Sequence, residues 1–455
     1  MEDRLDPAQK QREPAAVRLG LVTGFCLALV ILAHPAVADR SMVAIGAVGA
    51  VVVTCWWSVA NARLAGGFGG GFGLLTWSLA GFWLLALLGS ASVNGTWQLH
   101  ALLPPVLSIS LLWVGAHLGQ VPRATRWLLL LLVAAAAGAA IHGAVQHVGL
   151  DPLPRLDEFG GRVVGPFRNP NHLGSLAALA VPVALSGFLA LCSRAGSFRT
   201  VAGIGAGGAV LTIYSGLLLA GSRGAIWAAI GGATIVVCSA ARSLQRQSRQ
   251  PAWLPLLLLV ASLVLVTRLL QERPIMEGPK GEVSVGQRLQ AMSNMTGTAA
   301  KSDLTVIHRK VLWRGAWDLF LQKPLLGVGP GGYQQAFGEI LPQIMDDPGV
   351  AYLSRRHRME VSRYAHNEWL HRLAEVGLVG TIGWSLLVAL PMAGSLRRLW
   401  RGMDGMDRAA LGGCTTVLIH SLVSYPMYLP GTAGCFWLLL GLVASRRSEA
   451  PPNLS

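Results

Sequence analysis

Tyr364-Ala365-His366-Asn367-Glu368-Trp369-Leu370-His371-Arg372-Leu373-Ala374-Glu375-Val376-Gly377-Leu378-Val379-Gly380 is the stretch on which the fold turns. A long polar segment ends here and an apolar run begins, which predicts a membrane surface with His366 at the mouth of a helix. On one continuous helix His366, Leu370, Leu373 and Gly377 share a face, at i, i+4, i+7 and i+11. Gly377 and Gly380 leave room for another helix or loop to approach. Two readings fit His366: a group that exchanges a proton near neutral pH, or the plain end of an amphipathic helix. Spacing alone leaves them level.

Outward from that stretch the chain reads as a membrane protein. Of its 455 residues 53% are hydrophobic and only 13% charged, with a mean hydropathy of +0.50, values foreign to most soluble domains. Apolar segments recur near 19–33, 41–60, 72–90, 101–119, 127–146, 172–191, 200–220, 225–241, 253–270, 376–396, 408–424 and 429–445. Each is close to the ~20 residues that cross a bilayer. Arg63, Arg123 with Arg126, Arg194 with Arg199, Arg242 with Arg246 and Arg249, Arg397 with Arg398 and Arg401, and Arg446 with Arg447 fill every second connection and the tail. The positive-inside rule then puts both termini in the cytoplasm. The net charge of +15 is spread over these short loops and does not form a nucleic-acid patch.

The expected fold is an all-α integral membrane protein of about twelve transmembrane helices, with a helical external subdomain between helices 9 and 10. Its parts are a cytoplasmic segment at 1–18, helices 1–9 at 19–270, the external subdomain at 271–375, helices 10–12 at 376–446 and a tail at 447–455. Ala36-Val37-Ala38 resembles a signal-peptidase site, but the leader is long and not net positive, so a retained first helix is expected. The six cysteines lie in or beside apolar runs without a CxxC pair and read as packed thiols. Within 271–375, Leu304–Gln322 has helical periodicity, broken by Pro324-Leu325-Leu326-Gly327-Val328-Gly329-Pro330-Gly331-Gly332.

Chemistry gathers on the external side. Arg223, in Gly221-Ser222-Arg223-Gly224, sits between two apolar runs at the outer boundary. Such a charge either snorkels to headgroups or serves a polar cavity, where a guanidinium would clamp a phosphate; the two glycines favour the cavity. Arg168 stands in the turn Gly165-Pro166-Phe167-Arg168-Asn169-Pro170-Asn171-His172, where Asn169 and Asn171 can cap the following helix while its free N–H groups face an anion. Arg309 and Arg314, five apart on the predicted external helix, do not share a face cleanly and singly read as solvated charges.

Several motifs fail. Gly327-Val328-Gly329-Pro330-Gly331-Gly332 follows a helix and is no dinucleotide fingerprint, and His366 and His371 stand at i, i+5, not the i, i+4 of a zinc helix. No HExxH, nucleophile elbow or Walker motif is present, so neither metal nor cofactor is expected. One candidate base with several arginines at a membrane surface suits a lipid-linked diphosphate donor: arginines neutralise the leaving diphosphate and His366 takes the proton of an attacking hydroxyl. A transporter would place charges inside its helices, and these runs are nearly free of them.

Gly165–His172, Gly221–Ala225, His308–Gly332 and His366–Gly380 together resemble the O-antigen ligase and polymerase superfamily. The resemblance implies metal-independent, inverting glycosyl transfer at the periplasmic face of a bacterial inner membrane, from a glycan on undecaprenyl diphosphate. It assigns the essential histidine to His366 and diphosphate-binding arginines to Arg223 and Arg309, with Arg314 and Arg168 as looser matches and Asn367 as a supporting residue. In ligases the acceptor is a hydroxyl of lipid A-core, and this is the reading preferred here. A polymerase acting on a lipid-linked glycan, then a protein O-oligosaccharyltransferase, are the alternatives, with a polysaccharide flippase as the different class.

Overall fold

The computed structural model describes residues 7–32, 71–97, 99–151, 162–192, 197–247, 253–278, 281–293, 304–346, 361–401 and 403–445. The expected span at 41–60, most of the glycine-rich turn at 66–71 and the tail from 447 lie outside them. The described chain is overwhelmingly helical. Its first eight helices are α1 (Pro7–Leu32), α2 (Gly71–Asn94), α3 (Leu99–Leu118), α4 (Pro122–His147), α5 (Pro170–Cys192), α6 (Ser197–Ala220), α7 (Arg223–Gln247) and α8 (Trp253–Leu270). After the external segment come α12 (Glu368–Arg401), α13 (Gly405–His420), one 3-10 turn (Pro426–Tyr428) and α14 (Pro430–Ser445).

Among the described residues six helices are long and apolar enough to cross a membrane: α3, α4, α5, α6, α7 and α12. Helices α1, α2, α8 and α14 carry shorter apolar stretches. The centre is α5, apolar around its whole circumference and packed by α4, α6, α7 and α13. Leu173, Leu176, Leu179 and Leu185 alternate there with Ala177, Ala178, Ala180 and Ala184, small residues that let neighbours close in. Helix α8 is the opposite case, with Leu254, Leu257, Leu258, Leu265 and Leu269 all exposed, as on a wall meant for lipid.

The external segment contains an antiparallel hairpin, β1 (Pro274–Gly278) with β2 (Gly281–Ser284), then α9 (Val285–Ser293), α10 (Leu304–Gln322) and α11 (Tyr333–Asp346). Helix α10 covers the residues whose periodicity predicted it. Its Ile307, Val311, Leu312, Ala316 and Leu319 form a separate small core with Tyr333, Phe337, Leu341 and Ile344 of α11. The hairpin corrects the all-α expectation; it is only one pair of short strands, below the length at which alternation can be read.

Helix α12 also differs from expectation. It begins at Glu368, close to the helix mouth read at His366, but it is not continuous: it is broken at Gly377 (φ 60°, ψ −164°). The break frees backbone groups that the Pro324–Gly329 loop then satisfies. Val328 and Gly329 donate to the carbonyls of Ala374 and Glu375 at 2.8 and 2.9 Å, while Leu378 and Val379 donate to those of Pro324 and Leu325 at 2.8 and 3.2 Å. A Cβ on Gly377 would run into the Leu325 carbonyl, and its φ already disfavours other residues. This clamp fastens the external segment to the membrane helices beside the first turns of α12.

Candidate active site

The site is built where the N-termini of α5, α7 and α12 meet the C-terminus of α13, under α9 and α10. At α12, Asn367 is the N-cap: its Oδ1 accepts from the N–H groups of Trp369 and Leu370 at 3.0 and 3.1 Å. Its Nδ2 donates to the Leu422 carbonyl at 2.9 Å, and the Glu368 N–H donates to the Ser421 carbonyl at 2.9 Å, which ties α12 to the end of α13. Because the helix starts after this cap, His366 is not on it, and the expected shared face with Leu370 and Gly377 is corrected. His366 lies in the loop at φ 52°, the one non-glycine residue with positive φ among those described. Such a conformation costs about 1–3 kcal/mol and persists only where neighbours hold it. The Ala365 N–H donates to His371 Nδ1 at 3.4 Å, and Trp313 Nε1 of α10 donates to the His366 carbonyl at 3.4 Å.

The His366 ring faces the edge of Tyr425 at 4.7 Å and lies 6.4 Å from the His308 ring. Burial, with the charges of Arg309, His308 and His172, pushes its pKa down to about 3. The imidazole is therefore neutral at physiological pH and holds a free lone pair. Burial raises the Tyr425 hydroxyl to about 12, so it remains a hydrogen-bond donor.

Around the imidazole stand arginines. Arg162 donates from Nε to the Ala220 carbonyl at 3.1 Å, with Nη2 also on that carbonyl, and so caps the C-terminus of α6. Arg288 of α9 donates to the Gly221 carbonyl at 3.1 Å. Gly221, at φ 60°, makes the turn between them and presents buried Arg223 as the first residue of α7. Burial, with the charges of Arg288, Arg223 and Arg309, depresses the Arg162 pKa to about 9. Arg309, on α10, acts on both Arg162 and His366 and so joins the two halves of the site. Among the described residues, every charge that perturbs Arg162 or His366 comes from arginine or histidine. Such a concentration of positive charge is set to receive an anion.

The other expected residues fall differently. Asn169 caps α5, accepting the Asn171 N–H at 2.8 Å, while Asn171 turns aside to accept from Arg162 Nη2 at 3.4 Å. Arg168 is exposed. Arg314 is exposed too, paired with Asp318 at 2.9 Å on the outer side of α10. The structure thus brings His366, Arg223, Arg309 and Asn171 together and leaves Arg168 and Arg314 outside. It adds Arg162, Arg288, His172, His308 and Tyr425. His172 and His308 stood inside the quoted motifs; Arg162 and Arg288 carried no motif, and only the folding of the external segment onto the bundle brings them in. Among the described residues no group of three or more His, Cys, Asp or Glu side chains is arranged to hold a metal ion.

A helical protein with several membrane-spanning segments, and a cation-lined histidine site at one end of its bundle, is a candidate membrane enzyme for an anionic, lipid-borne substrate. Residues 207–385 match the family model described as O-antigen ligase, so this part of the chain is similar to that family. The matched region carries Arg223, Arg288, His308, Arg309 and His366, while Arg162, Asn171, His172 and Tyr425 lie outside it. No curated protein matches the chain. The family domain supports a glycan transferase of the ligase or polymerase type.

Proposed function

We propose that the protein is an O-antigen ligase: an inverting, metal-independent glycosyltransferase that moves a glycan from undecaprenyl diphosphate to a hydroxyl of lipid A-core at the periplasmic face of a bacterial inner membrane. The observation that carries this reading is a neutral His366 imidazole under the charge of Arg309, which also acts on Arg162 together with Arg223 and Arg288.

In the proposed step the acceptor oxygen attacks the anomeric carbon from the face opposite the diphosphate. The new C–O bond forms as the bond to the phosphate oxygen breaks, and its electron pair leaves with undecaprenyl diphosphate. The acceptor proton passes to His366 Nε2 or Nδ1, whichever faces it. Arginines preorganised at the leaving group stabilise charge as it develops, the larger share of the rate gain. The bound diphosphate also offsets the neighbouring positive charges, which add to burial in lowering the His366 pKa, so the imidazole gains basicity when the donor arrives. Arg168 and Arg314, exposed, are proposed as outer cations that meet the donor before the buried four. Asn169 and Asn367 support the site by fixing the starts of α5 and α12. A polymerase would use the same donor chemistry on a different acceptor.

The test is transfer in liposomes holding the purified protein and an undecaprenyl-diphosphate glycan, with lipid A-core or a second lipid-linked glycan as acceptor. Transfer to lipid A-core that survives EDTA supports the ligase. Chain growth on the lipid-linked glycan makes the protein a polymerase, and EDTA inhibition reversed by a divalent ion removes the metal-independent part.

A further inference from the structure

We propose that a cavity on the far side of the Tyr364–Tyr425 stack is a saccharide subsite, holding sugar residues next to the reacting one; this rests on the transferase reading above. The cavity measures about 900 Å3, within the range of sites that enclose a small-molecule ligand. None of His366, Arg162, Arg223, Arg288 and Arg309 lines it. Tyr364 does, and its ring stacks on Tyr425 at 4.4 Å, whose edge faces His366 at 4.7 Å. A double aromatic wall separates the two spaces.

The lining decides the chemistry. Gln334 and Gln335, exposed on the first turn of α11, offer amide donors and acceptors, and Arg363 offers a guanidinium 5.7 Å from the Tyr364 ring. Glu375 and Tyr428 add a carboxylate and a hydroxyl, joined at 3.3 Å. Flat apolar surface from Tyr364 and Pro104 lies between these polar groups. A sugar ring matches both kinds of surface, with hydroxyls on its edge and C–H groups on its faces. An alkyl or prenyl chain would use neither the amides nor the guanidinium, whereas sugar hydroxyls can take the place of the water on them. Charge separates the two sites as well. Arg372 on this wall is paired with Glu368 at 2.7 Å, whereas the charges that act on His366 come from Arg309, His308 and His172. The diphosphate belongs with the latter and the saccharide in the cavity.

The experiment uses the full chain in nanodiscs. Free oligosaccharides, one released from the lipid-linked glycan and one from lipid A-core, are titrated separately by calorimetry into wild type, His366→Ala, Gln334→Trp and Val361→Trp. Gln334 and Val361 are exposed lining residues, so their substitution narrows the cavity without disturbing a core. At least one oligosaccharide is expected to bind wild type and His366→Ala alike, and to bind the two tryptophan variants about tenfold or more weakly. The one that responds identifies the source, donor glycan or acceptor. Absent saccharide binding, or binding indifferent to both tryptophans, overturns the proposal, as does displacement by undecaprenyl phosphate carrying no sugar. Turnover in the same samples separates the two claims. Saccharide bound through the cavity with no transfer by wild type sinks the transferase reading alone; transfer with an unchanged KM for both substrates in the tryptophan variants sinks the subsite alone.

Discussion

Two buried clusters of charge lie within a few residues of each other, and they are wired oppositely. Around His366 stand arginines and histidines whose charges reinforce one another. On the first turns of α12, Glu368, His371, Arg372 and Glu375 are just as buried, but there carboxylates stand beside an arginine and a histidine. Arg372 donates to Glu368 at 2.7 Å and lies 4.3 Å over the Trp384 ring, and His371 sits 3.4 Å from Glu375. Glu368 and Glu375 also accept from the backbone of Met427 and Tyr333, each at 3.4 Å, which fixes the turn after α13 and the start of α11. The second cluster pairs acid with base and holds structure in place; the first gathers cations where an incoming anion can bind. Burial alone does not tell function from framework, and the balance of signs does.

The largest contrast should come from removing cations in the first cluster. Arg309→Ala and Arg223→Ala are each expected to lower transfer by about 10²–10³-fold. The melting temperature of the same variants reads folding separately from transfer. Arg309→Lys should recover only part of the rate, since an ammonium cannot clamp a phosphate bidentately. A large fall in melting temperature for either alanine variant would place that arginine in the framework.

Removing one partner from the second cluster should act on folding. Glu368→Ala leaves the buried Arg372 uncompensated and is expected to cost about 3–5 kcal/mol of stability, read by unfolding in detergent. Retained stability with lost turnover would erase the distinction between the clusters.

Acid titration sharpens the same comparison. A histidine of ordinary pKa loses its base form below about 6.5, whereas His366 keeps it to about 3. The kcat/KM profile at limiting donor should thus stay flat from about pH 8 to about pH 5, with no midpoint near 6.5. The unfolded chain takes up that proton near 6.5 and the folded one resists it, so His366 costs stability as pH falls from about 6.5 towards 3. The smallest effect is expected at Arg314, already paired with Asp318: Arg314→Ala should raise the donor KM by about twofold at low salt, and the difference should vanish at high salt.

Much of this architecture was legible in the sequence. The apolar runs located the described membrane helices, since length and hydropathy alone decide a span, and periodicity located α10 from Leu304 to Gln322. The start of α12 was legible near His366, but its break at Gly377 was not, because the backbone groups it frees are satisfied by the Pro324–Gly329 loop, distant in the chain. His366 was legible as a residue but not as a conformation, because its left-handed φ depends on Asn367 taking the cap. Arg162 and Arg288 were out of reach: each is a lone arginine in a polar segment, and what makes it part of the site is a carbonyl of the Ala220–Gly221 turn, distant in the chain.

The most direct measurement is glycan transfer from undecaprenyl diphosphate by wild type and by His366→Ala, side by side in liposomes with lipid A-core as acceptor. Transfer by wild type that falls by about 10²–10⁴-fold in the variant, with donor binding retained through the arginines, is the predicted result. Equal transfer by the two proteins would contradict the assignment of the imidazole as base.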